Sequence, residues 1–144
     1  MIKHTKPLLE VDIARPAVAY FHELQWEVYQ EVQELNADII AVFDKRLIHV
    51  VECKVHLNFK IIQQAIHRIG IGHWTSICVP SKACRGNLSI AKVVLQHFGI
   101  GLFEVDMGNI SETIKPRMNR RGGANTFQYL HERQKYYCEA GSPG

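Results

Sequence analysis

An α/β sandwich around a mixed central sheet is the fold class this sequence predicts, and three observations predict it. One helical segment is followed by three apolar, β-branched segments, after which helices and strands alternate: α, three strands, α, β, α, β. One strand, ADIIAVF, is apolar almost throughout, as a strand covered on both faces must be. The composition suits a packed core, with 47% hydrophobic and 22% charged residues in 144, the length of one ordinary domain.

Each element has its local cause. Pro16 suits the first residue of a helix, AVAYFHEL, where its missing N–H costs nothing. Ala17, Val18, Phe21 and Leu24 or Gln25 give that helix an apolar face. WEVYQEVQ sets Trp26, Val28 and Val32 against Glu27, Gln30 and Gln33, a period nearer two than 3.6, and Asn36 ends this first strand. ADIIAVF is the second strand and LIHVVECKV the third, antiparallel to it through a polar turn at Asp44-Lys45-Arg46. Asn58 caps a helix, FKIIQQAIHRI, which Gly70 stops. HWTSICV, ending at Pro80, is the fourth strand, SKACRGN a loop, LSIAKVVLQHF a helix ended by Gly99, and IGLFEVD the fifth strand. Trp26 and Trp74 read as core residues.

The last stretch changes character. KPRMNRRGG carries Lys115, Arg117, Arg120 and Arg121 with two glycines, and reads as an exposed basic segment. NTFQYLHERQKYY reads as a short last helix capped by Asn125 or Thr126, and EAGSPG as a loose end. The chain therefore divides into an α/β domain over 1–115 and a basic C-terminal segment over 116–144.

Charge and cysteines bound the function. The net charge of +3 permits a polyanionic partner without requiring one. No apolar run is long enough to span a bilayer, and the start lacks a signal peptide's apolar stretch, so the expectation is a cytoplasmic protein. Cys53, Cys78, Cys84 and Cys138 form no CxxC pair and read as free thiols of a reducing compartment. The eight histidines show no HxH or HExxH spacing, so they carry no metal signal.

The chemistry is concentrated where the third strand ends. Side chains alternate along a strand, so Glu52 and Lys54 share a face with Ile48 and Val50. Counting outward from the turn, Asp38 falls near Glu52, so two carboxylates and an ammonium converge at one sheet edge. Two carboxylates and the Cys53 backbone carbonyl suit Mg²⁺, which keeps several waters and takes phosphate oxygens as further ligands; Mn²⁺ would substitute. The lysine would orient or deprotonate an attacking water, or neutralise charge building on phosphorus. The plainer alternative is a weak strand-end ion pair between Glu52 and Lys54.

Ala37-Asp38, thirteen further residues and then Glu52-Cys53-Lys54, followed by a helix bearing QQAIHR, resembles the PD-(D/E)XK nuclease superfamily over roughly residues 10 to 106. That resemblance implies a restriction-endonuclease-like α/β/α sandwich. The chain departs from the motif at Ala37, where the superfamily has a proline that shapes backbone and does no chemistry. A closer resemblance is to an uncharacterised bacterial branch of PD-(D/E)XK phosphodiesterases. The matching features are Glu10 to Asp12 with Pro16 to Val18, Glu31-Val32, Gln64-Ala65 with Arg68, Gly99 to Asp106, and Pro116 to Arg121.

The resemblance implies that Asp38 and Glu52 bind metal, with Cys53 contributing its carbonyl, and that Lys54 serves the nucleophilic water. It places Gln64 on the helix facing the site, and completes the site with an N-terminal acid, Glu10 first and Glu31 second. Glu23, opposite its helix's apolar face, suits solvent. Lys60, Arg68, Lys115, Arg117, Arg120 and Arg121 are the expected contacts to nucleic acid. The expectation is a Mg²⁺-dependent nuclease acting on DNA, with a homodimer if both strands are cut; its alternative is a non-catalytic nucleic-acid-binding module on the same fold.

Overall fold

A computed structural model describes residues 7–86 and 88–136 of the chain. Six strands form one sheet in sequence order: β1 (Glu27–Val32), β2 (Ala37–Phe43), β3 (Leu47–Cys53), β4 (Trp74–Pro80), β5 (Gly101–Asp106) and β6 (Asn109–Ile114). β3, β4 and β5 run parallel and the remaining neighbours antiparallel, so the sheet is mixed as expected. Helix α1 (Glu10–Glu23) covers one face; α2 (Phe59–His67) and α3 (Leu88–Phe98) cover the other.

The faces follow from strand alternation. Ile39, Ala41, Val51, Cys53, Cys78 and Phe103 pack against Ile13, Ala17 and Phe21 of α1. Ile77, Val79 and Leu102 turn the other way, onto Ile61, Ile62 and Ala65 of α2 and Ala91 and Leu95 of α3. Between β2 and β3, Asp44 and Lys45 both adopt left-handed backbone (φ 56° and 57°), the geometry that matches a tight hairpin to strand twist. Asn58 caps α2 as expected, its Oδ1 accepting from the Ile61 N–H at 3.0 Å.

Three expectations about elements are corrected. Pro16 lies inside α1, which starts at Glu10, because upstream Ile13 is buried on the sheet and Asp12 caps the start by accepting from the Leu9 N–H at 2.9 Å. Tertiary burial there outweighs the hydrogen bond Pro16 cannot donate. Gln30 shares the α1-facing side with Val28 and is only 2% exposed, its Oε1 without a partner among the described residues. Beyond it Glu31 is left-handed (φ 52°), and Val32 packs into the opposite face's cluster instead. The sixth strand, NISETI, was not among the expected elements; its polar alternation suits an edge, and a left-handed Met107-Gly108 turn joins it to β5.

The C-terminal stretch departs furthest from its reading. It is strapped across the body instead of lying exposed. Arg117 N–H donates to the Gly99 carbonyl at 2.9 Å, Asn119 N–H to His73 at 2.6 Å and Gly123 N–H to Gly70 at 3.0 Å. Gly122, Gly123 and Thr126 are buried. The expected helix after Thr126 is two 3-10 helices, Phe127–Tyr129 and Glu132–Tyr136. Tyr129 and Leu130 complete the cluster of Val32, Ile40, Val42, Ile48 and Val50, which neither α2 nor α3 covers. Residues 116–136 thus share the core of the preceding part; EAGSPG and Cys138 lie outside the described residues. Cys53, Cys78 and Cys84 are buried free thiols.

The strap tolerates no side chain where it crosses Gly72. A Cβ on Gly122 would stand 1.8 Å from the Gly72 carbonyl oxygen, backbone against backbone. Gly122→Ala should therefore destabilise the fold by about 2 kcal/mol, lowering the thermal midpoint by roughly 4–8 °C. An unchanged midpoint in a thermal melt would show that the strap does not bear on the core.

Candidate active site

β2 and β3 pair with Ile39 opposite Val51, so one further step along the ladder sets Asp38 against Glu52. Both belong to the face that carries Ile40 and Val50, away from α1. Asp38 Oδ2 accepts the Cys53 backbone N–H at 2.8 Å, which fixes the first carboxylate against the strand end. Glu52 is 3% exposed, and its Oε1 meets Arg68 Nε at 3.0 Å. Lys54 lies just past the strand; its N–H continues the ladder to the Cys78 carbonyl at 3.0 Å. Its Nζ reaches Glu10 Oε2 at 3.3 Å.

This cluster is electrostatically strained. Burial, together with the adjacent Asp38 charge, holds Glu52 well above the usual carboxylate range, and Arg68 only partly offsets it. Glu31 is raised by burial and then by Asp38 and Glu10, with Lys54 opposing. Burial works against the Lys54 charge, but Glu10, Asp38 and Glu52 outweigh it, so the ammonium is held more firmly than usual. Lys54 is therefore a fixed positive charge at this end of the sheet.

The structure brings Asp38, Glu52, Lys54, Glu10, Gln64, Lys60 and Arg68 to one end of the sheet. A cavity of about 200 Å³ opens beside them, lined by Glu10, Lys54, His56, Lys60 and Gln64 among others. Arg68, expected at nucleic acid, instead serves as the counter-charge of Glu52 and also donates to the Asn36 carbonyl at 3.0 Å. Glu10, the first-choice third acid, is engaged by Lys54. Among the described residues no group of three His, Cys, Asp or Glu side chains is gathered to hold a metal. The oxygen donors of the expected set that adjoin one another are the Asp38 and Glu52 carboxylates, of which Asp38 already accepts from the Cys53 N–H and Glu52 already meets Arg68; carboxylate oxygens are the ligand type Mg²⁺ takes, with water filling most of its shell.

The basic strap lies elsewhere. Asn119 joins His73, which itself donates to the Ile48 carbonyl at the start of β3, several residues and roughly 13–20 Å along the strand from Glu52 and Lys54. Arg117 Nη2 donates to the His97 carbonyl at 3.2 Å and so caps the C-terminal end of α3. Arg120 and Arg121 stay exposed on the strap, and Lys115 borders a cavity on the α1 face. None of these four cations adjoins the acidic cluster.

Fold and site together define a mixed α/β domain with an acid–lysine cluster at the hairpin's open end. No family model and no curated protein matches the chain. Among solved structures it is similar to SPO1766, a protein of unknown function from Silicibacter pomeroyi, at 15% identity and a TM-score of 0.65, over 94% of this chain and 89% of that one. That likeness is one of fold. No helix among the described residues is long and apolar enough to cross a membrane.

Proposed function

We propose that this chain is a Mg²⁺-dependent phosphodiesterase of restriction-endonuclease-like fold, within the PD-(D/E)XK superfamily, that hydrolyses DNA. The observation that carries the reading is Asp38 set against Glu52 on one face of a hairpin, with Lys54 emerging beside them. Asp38, Glu52 and the Cys53 carbonyl would hold the ion, which when bound supplies a Lewis acid and an acidified water. Lys54 stabilises negative charge at the phosphate, and Gln64 presents an amide to a phosphate oxygen or water. Lys60, exposed at the cavity, attracts the backbone. Nicking needs one such site, whereas cutting both strands calls for a two-fold homodimer. Three buried free thiols suit the reducing cytoplasm.

A second reading, a binding module without catalysis, draws on the pairing of Glu52 with Arg68 and Glu10 with Lys54, which already offsets part of the acidic charge. One assay separates them. Supercoiled plasmid and single-stranded circular DNA are incubated with Mg²⁺, Mn²⁺ or EDTA, beside Asp38→Asn. Nicking that needs metal and disappears in the variant is the expected result. Salt-sensitive binding in EDTA with no cleavage of either substrate would favour the module.

A further inference from the structure

A second cavity, of about 260 Å³, lies on the opposite face of the sheet from the acidic cluster. His49 projects into it from β3 toward the α1 side, three residues before Glu52 and turned the other way. The ring is 6% exposed, and its Nε2 lies 2.7 Å from the Ser76 Oγ, which leaves Nδ1 as its remaining polar atom. Gly101 makes room beneath: a Cβ there would stand 2.5 Å from the Ser76 Oγ and 2.7 Å from Pro116. Around His49 stand Phe21, Trp26 and Trp74, with ring centroids at 5.1, 6.3 and 6.1 Å. Both tryptophans, expected in the core, are partly exposed at this cavity. Glu112 and Lys115 supply one charge of each sign at the rim.

We propose that this cavity is a nucleobase site, taking the amino-bearing ring of a nucleotide either free or extruded from a strand. The volume is below the roughly 300–1,000 Å³ typical of drug-sized ligands and suits one ring system. Aromatic walls stack on a flat ring whatever its identity. The His49 imidazole in the lining offers a polar ring edge that a heteroaromatic ligand can meet and an aliphatic one cannot. Glu112 accepts from an exocyclic amino group, and Lys115 meets a phosphate. The site does not depend on catalysis at the acidic cluster.

Trp26 and Trp74 are the two tryptophans of the chain, so its intrinsic fluorescence reports on this cavity directly. The experiment titrates AMP, CMP, GMP and UMP, and the nucleosides adenosine and cytidine, in EDTA with full-length protein. A saturable change is expected, weaker by about tenfold for UMP, which lacks the amino group. Glu112→Gln should erase that preference, and Lys115→Ala should weaken nucleotides while sparing nucleosides. Asp38→Asn should change nothing. Tighter binding of a duplex with one bulged base than of AMP or CMP would assign the strand as source; the reverse assigns free nucleotide. The proposal is overturned by no saturation up to about 10 mM. It is equally overturned by a response that survives both rim variants with circular dichroism intact, that follows Asp38→Asn, or that inorganic phosphate or free tryptophan reproduces alone.

Discussion

Lys54→Ala should lower metal-dependent cleavage by about three orders of magnitude and leave the thermal midpoint nearly unchanged. The two halves of that result have separate causes. Lys54 is 35% exposed and its pair with Glu10 is solvent-facing, so losing the pair costs little stability. The same ammonium is the positive charge beside Asp38 and Glu52, and removing a preorganised charge from a reacting phosphate typically costs roughly 10²–10³ in rate. Arginine is no substitute, since its planar fork cannot take the place of a compact ammonium. Lys54→Gln serves as a second variant of similar length. Cleavage within about tenfold of wild type in both, in folded and nuclease-free preparations, would remove Lys54 from the chemistry. The Glu52–Lys54 spacing would then be a charged strand end.

What was legible in the sequence is what short-range geometry determines. Alternation along LIHVVECKV put Glu52 and Lys54 on one face, and counting from a three-residue turn put Asp38 beside Glu52, which the register from Ile39–Val51 supports. Asn58 was readable as a cap because its effect is confined to the next turn. What failed depends on contacts between distant segments. Arg68 looked like a surface cation until the fold brought it onto buried Glu52. Pro16 looked like a boundary because helix propensity says nothing of the burial that Ile13 gains upstream. The basic tail looked solvated because its anchors are backbone hydrogen bonds and glycines, and neither leaves a hydrophobic pattern. His49 gave no signal beyond a polar residue in an apolar strand.

That same histidine should make the stability of this protein sensitive to acid. Burial against aromatic rings depresses its pKa from 6.5 to about 3, so the folded state keeps the ring neutral where the unfolded chain would protonate it. Its contribution is therefore whole above about pH 6.5 and lost progressively as pH falls toward 3. Glu52, raised in the folded state, acts in the opposite sense: its contribution is full in acid and lost as pH rises. Glu112, raised by burial against the pull of Lys115, titrates at the rim of the same cavity. The bare pH profile therefore mixes several groups, and the informative quantity is a difference. His49→Gln keeps a polar partner for Ser76 but cannot titrate. The stability gap between wild type and variant, from urea denaturation, should shift against wild type by about 3 kcal/mol between about pH 6.5 and pH 4. Groups that titrate alike in both proteins cancel. A gap constant over that range would mean that His49 is protonated in the fold, with water reaching the ring through the aromatic cavity.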